Sequence, residues 1–375
     1  MRCVFRVDAS LQIGTGHVMR CLTLADYLST RGANCHFICR PHHGNLNKLI
    51  SSRGHALYEI SGGEPAYEVV QDFESTKNTK NTQLNHRNWL GSTQLEDAEA
   101  CVHLMSSLTP DLLVVDHYAL DEQWEKRLKP YCKTLVAIDD LADRSHISDV
   151  LIDQTFGRKS KDYAYLVPEN CILLCGSTYA MLRPQFSALR SFSLQRRKNP
   201  VIKKILVSMG GFDQDNFTLL VLKSLKSCPL PDDLEITVVM GSQAPWLESV
   251  STYALSMPRK IRILSGVDNI AEEMARSDLA IGAAGVTALE RCCLGLPAII
   301  VVLAQNQLNF ARALAHGNCA KLIGQGLDIS RQLKELISPL ILDPNNLKSL
   351  SEASARVTNG SGVIEVVNHL EQALA

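Results

Sequence analysis

The sequence predicts an α/β protein built from two Rossmann-like domains, and three observations lead there. At 375 residues the chain exceeds what one typical core holds. Short apolar, β-branched runs alternate with glycine turns and helically spaced segments, first from Cys3 to Ile152 and again from Lys204 to Leu303. Between the two series, Ser187–Asn199 (SALRSFSLQRRKN) is polar and basic and stands just before Pro200. It is the expected linker, with one domain over 1–195 and the other over 196–375.

Cys3–Val7 is the first strand and runs into Asp8 and a loop, Gly14-Thr15-Gly16-His17. A helix follows from Val18 to about Thr30, with apolar positions at Val18, Leu22, Ala25 and Leu28 and a stop at Gly32. Asn34–Arg40, the second strand, completes a βαβ opening. GTGH is a weak dinucleotide fingerprint, because a third glycine and a downstream acidic partner are not clearly in place. Gly54–Ile60 reads as a third strand, and Ser75–Asn88 as a polar surface loop or insertion. Helix Gln94–Leu108, strand Asp111–Val115, helix Asp121–Leu128 and strands Thr134–Ile138 and Asp149–Ile152 come next. Three successive strand ends carry Asp116-His117-Tyr118, Asp139-Asp140 and Asp153-Gln154. A doubly wound sheet presents its functional groups at such ends. For any one of these acids, helix N-capping is the plainer job, and Asp121 in particular reads as a cap.

The second series opens with strand Lys204–Met209, the turn Gly210-Gly211-Phe212-Asp213 and helix Asn216–Leu225. Strand Glu235–Met240 ends at Gly241-Ser242. Strand Ile261–Leu264 leads through a loop containing Asn269 to helix Ala271–Arg276. The densest stretch is Ser277–Gln307: strand Asp278–Ile281, the small-residue turn Gly282–Gly285, helix Val286–Leu294, buried strand Ala298–Leu303, then Gln305-Asn306-Gln307. A small-residue turn at a helix start exposes backbone N–H groups at the positive end of the dipole, a ready anion site. Thr287 adds a hydroxyl, and Glu290, one turn on, can reach a ribose or sugar hydroxyl. The turn alone is equally an ordinary strand-to-helix connection. The polar loop just past the next strand favours a ligand. Later helices run near Leu308–His316, Ser330–Ile337 and Gly362–Leu374, the last able to pack back onto the first domain.

Composition excludes several classes. A formal net charge of −1 offers no electrostatic grip on nucleic acid or anionic lipid. The longest apolar run, Leu294–Ala304, is far short of the ~20 residues a spanning helix needs. Twelve cysteines include no CxxC pair, so neither a zinc framework nor a disulfide scaffold is expected. The opening MRCVFRVDAS is broken by Arg6 and Asp8, so it reads as a strand and not a signal peptide. A soluble, cytoplasmic protein without metal or cofactor, and without nucleic-acid, membrane or obligate protein partners, is the expectation.

His17 sits where the first loop becomes a helix. A cation there is opposed by the helix dipole, and Arg20, one turn later, would act the same way if close, so a neutral imidazole able to accept a proton is expected. A lone histidine more often packs or caps, and only its company decides between the two. Two α/β halves with glycine turns at strand ends imply a cleft between them. This is the arrangement of the GT-B glycosyltransferase fold, with the nucleotide on the second half, its phosphates on Gly210, Gly211 and the Gly282–Thr287 turn, and its base met by the backbone near Asn269.

RVDAS, GTGHVMRCLTLA, DLLVVDHY, IDDLADR, VSMGGFD and AIGAAGVTALERCCLGLP…LAQNQ together resemble the UDP-2,4-diacetamido-2,4,6-trideoxy-β-L-altropyranose hydrolases of pseudaminic acid biosynthesis. That family's two-domain fold is similar to the lipid II-forming N-acetylglucosaminyltransferases. The matching motifs spread from residue 2 to about residue 317; Ser75–Asn88 and the tail after about Pro339 match nothing in it. The resemblance implies a UDP-sugar substrate and makes His17 the general base within Gly14, Gly16 and Arg20. It places nucleotide-sugar contacts on Gly285, Val286, Thr287, Glu290, Gln305, Asn306 and Gln307. A glycosyltransferase on the same scaffold is the main rival, a non-catalytic nucleotide-sugar binder the second, and a Rossmann oxidoreductase the weakest.

Overall fold

A computed structural model describes residues 1–60, 86–267, 269–324 and 328–374. Most of the Ser75–Asn88 stretch therefore lies outside the described residues. The chain divides into two compact units, Met1–Asp153 with Lys159–Cys175 and Val366–Ala375, and Gln154–Arg158 with Gly176–Glu365.

The first unit contains β1 (Arg2–Val7), α1 (Gly16–Thr30), β2 (Asn34–Cys39), α2 (Asn47–Ser52), β3 (Ala56–Glu59), α3 (Gln94–Leu108), β4 (Leu112–Asp116), α4 (Glu122–Leu128), β5 (Thr134–Ile138), β6 (Val150–Asp153) and β7 (Ile172–Cys175). Its strands form one sheet of order β3-β2-β1-β4-β5-β6-β7, and every pairing is parallel. β4 and β5 are buried along their whole length, as their uninterrupted apolar runs require of a sheet covered on both faces. Asp121 caps α4, its carboxylate accepting from the Gln123 N–H at 2.8 Å.

The second unit contains α5 (Pro184–Arg196), β8 (Lys204–Ser208), α6 (Phe217–Lys226), β9 (Glu235–Met240), α7 (Leu247–Ala254), β10 (Ile261–Ser265), α8 (Ile270–Arg276), β11 (Leu279–Ala283), α9 (Val286–Cys293), β12 (Ala298–Val301), α10 (Leu308–His316), β13 (Lys321–Ile323), α11 (Ile329–Leu342) and α12 (Pro344–Ala355). Its sheet is again wholly parallel, in the order β10-β9-β8-β11-β12-β13. The final helix α13 (Gly362–Leu374) begins with this unit, and its residues from Val366 group with the first.

Both sheets reverse their winding direction beside the first strand, between β1 and β4 and between β8 and β11. These are the points where an open α/β sheet leaves a crevice at its strand ends. At the carboxyl ends of β1, β4, β8 and β11 stand His17 at the start of α1, Asp116 as the last residue of β4, the Gly210-Gly211 turn and Ala284-Gly285.

The expected linker Ser187–Asn199 is corrected by α5, a helix opened by Pro184 at its first position. Two of its arginines, Arg190 and Arg197, are not solvated charges; they satisfy carbonyls left over at helix ends, while Arg196 and Lys198 stay exposed. Arg190 donates to the Thr358 carbonyl at 3.0 Å and the Ala355 carbonyl at 2.7 Å. Arg197 donates to Met274 O in the last turn of α8 at 3.2 Å and to Ser277 O just past it at 2.8 Å. Composition reads the same whether an arginine meets water or a carbonyl, which is why this segment misled.

The first unit hides an unusual amount of charge. Arg6, Asp8, Asp97, Asp116 and Asp139 are fully buried. Burial is the largest single influence and would raise each of these carboxyls, but the neighbouring cations and hydrogen bonds together, led by the guanidinium of Arg6 (for Asp8 and Asp97), Arg20 (for Asp116) or Arg144 (for Asp139), outweigh it and hold all four below the ordinary 3.8. A carboxyl whose folded value is depressed stabilises the fold fully above its unfolded value, and that contribution is lost as pH falls through 3.8 toward the lower folded value. The first thermal unfolding transition should therefore hold steady from pH 7 to about 5 and drop steeply between about pH 4 and 2. Circular dichroism melts check this; an unchanged midpoint at pH 3 would contradict it.

Candidate functional site

In the first unit, β1 ends at Asp8, and the chain turns through Ser10, whose hydroxyl accepts from Gln12 N at 3.1 Å and Ile13 N at 2.9 Å. Gly14 adopts φ +81°, in the left-handed region that only glycine enters cheaply. Its N–H closes back on the Ser10 carbonyl at 2.9 Å, and a side chain there would meet nothing within 4 Å. Gly16 then starts α1, so His17 enters on the first helical turn.

His17 is 8% exposed. Its Nδ1 lies 2.6 Å from Asp116 Oδ1, at the end of β4. Arg20 Nη2 is farther from the same nitrogen, at 3.3 Å, and itself donates to Asp116 Oδ1 at 2.7 Å while Nε donates to Oδ2 at 2.6 Å. A carboxylate only accepts, so the closer contact makes Nδ1 the protonated nitrogen and leaves the Nε2 lone pair as the basic one. No hydrogen bond among the described residues engages Nε2. Arg20 and His17 share a partner: Arg20 is paired with Asp116 and, through Nη1 at 2.6 Å, with Asp140. Asp140 also accepts from the Tyr118 hydroxyl at 2.8 Å, and the Tyr118 ring stands edge-on to His17, centroids 4.6 Å apart. Burial, then Asp140, pushes the Tyr118 phenol well above its usual value, so it is a neutral donor.

The acids at strand ends therefore do not cap helices as each alone suggested. Asp116 orients His17 and anchors Arg20. Asp139 accepts from Arg144 Nη1 at 2.7 Å and from the Tyr163 hydroxyl at 2.9 Å, and Asp153 accepts from the same hydroxyl at 2.7 Å. Sequence reasoning placed Asp116 at the sheet's functional edge but gave it no role. The signal was the parallel register β1–β4, which no spacing rule supplies across ninety-nine residues.

In the second unit the two glycine turns differ. Gly210 has φ +95°, and both Gly210 and Gly211 have open space where a Cβ would stand. The Gly211 carbonyl accepts from Gly241 N at 3.1 Å, an approach so close that a Cβ on Gly241 would lie 2.1 Å from that oxygen. The N-terminal N–H groups of α6 are already taken, Phe217 and Thr218 by Asp213 at 2.8 Å each and Leu219 by Asn216 at 3.2 Å. By contrast α9 starts at Gly285 with no side chain capping it and no acid in its first turn. Gly285, at the N-cap, with Val286 and Thr287 in the first turn, thus forms a terminus that no side chain caps, and Gly285 has free space beside it. Gly282 does not belong to this turn: it is in β11, where a Cβ would lie 2.4 Å from Ser208 O.

Glu290 is 5% exposed. Its Oε1 accepts from Arg183 Nη2 at 2.9 Å, whereas Oε2 is buried without any partner. Burial raises its pKa, and Arg183 offsets this only in part. Asn306, in the turn after β12, likewise leaves its Oδ1 buried and unpartnered. Two orphaned acceptors following neighbouring strands are what a hydroxyl-bearing ligand would satisfy. Gln307 is spent locally, accepting from Leu303 N at 3.2 Å, and Gln305 opens that turn. Asn269 caps α8, its Oδ1 accepting from Glu272 N at 3.4 Å; the neighbouring Asp268 lies outside the described residues. Among the described residues, no group of three or more His, Cys, Asp or Glu side chains is arranged to hold a metal ion. Nor is any described helix long and apolar enough to cross a membrane.

Comparison with known proteins adds the following. Residues 204–365 match the glycosyltransferase family 28 C-terminal domain. The uncharacterized protein MJ1062 of Methanocaldococcus jannaschii is 28% identical over 312 residues, 82% of this chain; the chain spans only 56% of that relative's length. The UDP-2,4-diacetamido-2,4,6-trideoxy-beta-L-altropyranose hydrolase of Campylobacter jejuni is 28% identical over 280 residues, 74% of this chain and 83% of that one. Among solved structures, MurG of Acinetobacter baumannii superposes with a TM-score of 0.70 over 99% of each chain at 16% identity. At that identity the likeness is one of fold. The chain has a GT-B fold of two Rossmann-like units, and residues 204–365 of it match the glycosyltransferase family 28 C-terminal domain.

Proposed function

We propose that this protein is a nucleotide-sugar enzyme that hydrolyses a UDP-sugar at its anomeric carbon, with inversion and without a metal ion. The substrate class that fits is UDP-2,4-diacetamido-2,4,6-trideoxy-β-L-altropyranose, the substrate in the name of the Campylobacter relative. The observation carrying the reading is the 2.6 Å contact of His17 Nδ1 with buried Asp116, which leaves Nε2 as a positioned base.

The chemistry needs little else. His17 Nε2 takes a proton from water as its oxygen bonds to C1, and the bond from C1 to the β-phosphate oxygen breaks, UDP leaving with the electron pair. Ordinary glycosidases need a second carboxyl to protonate an alkoxide leaving group. A nucleoside diphosphate leaves without that help where its charge is stabilised, and the uncapped terminus of α9 supplies such stabilisation. One water attacking opposite the nucleotide inverts C1.

Glu290 Oε2 is assigned to a ribose hydroxyl. Replacing Glu290 with glutamine should weaken UDP binding by about 10-fold or more, the loss of a charge-assisted hydrogen bond. Titration calorimetry with UDP checks it, and affinity within twofold of the unaltered protein would remove Glu290 from the site.

The match of 204–365 to a glycosyltransferase domain favours one rival, in which an acceptor hydroxyl takes the place of water. NMR product analysis decides between them. The purified protein is incubated with the diacetamido sugar nucleotide and with UDP-GlcNAc, with and without chelator, and no acceptor. UDP and free sugar from the first alone would establish the hydrolase. No release from either, with UDP still bound, would favour the transferase, and UMP with sugar phosphate would mean a different bond is cut.

A further inference from the structure

The second unit holds a charge that neither the fold nor the roles assigned so far account for. Arg291, on α9, is 2% exposed. Its Nη2 donates to the Ala283 carbonyl, its Nε is buried with no partner, and it forms no ion pair among the described residues. The adjacent Glu290 is engaged by Arg183 instead. Arginine is rarely buried unless paired, because an uncompensated interior charge is strongly unfavourable. Burial accordingly lowers its pKa to about 10, which still leaves it charged at neutral pH.

The position of this cation is specific. A Cβ on Gly282 would lie 2.5 Å from Arg291 Nη1, so the guanidinium runs past the one residue of β11 that leaves it room. It ends on the carbonyl of Ala283, the last residue of β11, directly before Ala284-Gly285 and the start of α9. A trans peptide points its N–H opposite its C=O, so the bond to Ala283 O turns the Ala284 N–H away from the arginine. The same turn leads into the helix terminus that no side chain caps, with open space beside Gly285.

We propose that Arg291 is the resident cation of the nucleotide half-site, a positioning residue that attracts the diphosphate through the Ala283–Gly285 turn without touching it. The unpaired charge lowers the stability of the free protein and finds its counter-charge when the ligand arrives. This rests on the reading of the second unit as the holder of the nucleotide, and it assigns the electrostatic component to one side chain.

The test is calorimetric titration of the full-length protein with UDP and with uridine, alongside thermal melts without ligand. Arg291→Met and Arg291→Gln remove the charge, the glutamine keeping a donor for Ala283; Arg291→Lys keeps the charge. Both neutral variants should bind UDP at least about 10-fold more weakly and uridine within about twofold, with no lower melting midpoint, while the lysine variant stays within about threefold for UDP. Equal losses for UDP and uridine would overturn the proposal, since Arg291 would then only shape the turn. Unchanged UDP affinity, or failure of both neutral variants to fold, would overturn it as well. If the unaltered protein bound neither UDP nor uridine, the nucleotide reading itself would fall, a result distinct from an unchanged ratio in the variants.

Discussion

Replacing His17 with phenylalanine should lower hydrolytic turnover by ~10²–10⁴-fold or more while leaving the affinity for UDP within about twofold. The two halves of this expectation come from different units. His17 belongs to the first, and the groups assigned to the nucleotide, Gly285 to Thr287, Glu290 and Asn306, belong to the second. Phenylalanine keeps a ring to meet the edge of Tyr118, so the packing contact at 4.6 Å survives while the base is lost. Asp116 loses one donor but retains Arg20 through both oxygens, so no carboxylate is left uncompensated. Single-turnover rates and UDP titration on the same preparation check it. Turnover within tenfold of the unaltered protein would remove His17 as the base; a parallel loss of UDP affinity would mean the substitution acts through the fold.

Much of the architecture was legible because it is periodic. Uninterrupted apolar runs such as Thr134–Ile138, helix boundaries such as Gln94–Leu108 and the Asp121 cap lie where spacing and capping rules put them. What was not legible depends on partners distant in sequence. Ser187–Asn199 looks like a solvated linker because composition cannot show that Arg190 and Arg197 find helix-end carbonyls. The edge strands β7 and β13 were not read from the sequence; each pairs in parallel with its inner neighbour, β6 or β12. Gly282 was grouped with the turn because glycine marks turns, yet it is there to let Arg291 past and Ser208 close. In the candidate site, the loop singled out His17, whereas its hydrogen-bond partner Asp116 was not assigned to it. Which of three strand-end acids faces His17 is decided by β4 lying directly beside β1.

That partner gives the second large effect. Asp116→Asn should reduce kcat by ~10²–10⁴-fold at nearly unchanged KM, and the reason is the tautomer. The carboxylate can only accept, so it fixes the proton of His17 on Nδ1 and the lone pair on Nε2. Asparagine has one acceptor and one donor. Arg20 presents two N–H groups to the present carboxylate, at 2.6 and 2.7 Å, and will take the amide oxygen, which turns the NH₂ toward His17. Nδ1 must then accept, the proton moves to Nε2, and the nitrogen that should take a proton from water already carries one. Stability should fall too, on the order of 3 kcal/mol at most, because Arg20 loses one counter-charge but keeps Asp140 at 2.6 Å. A purely structural role for Asp116 would predict the stability loss alone. Nitrogen-15 NMR of the imidazole separates the two: the unaltered protein should show the Nδ1–H form and the variant the Nε2–H form. An unaltered protein already in the Nε2–H form, or a variant that turns over at the normal rate, would dismiss the mechanism.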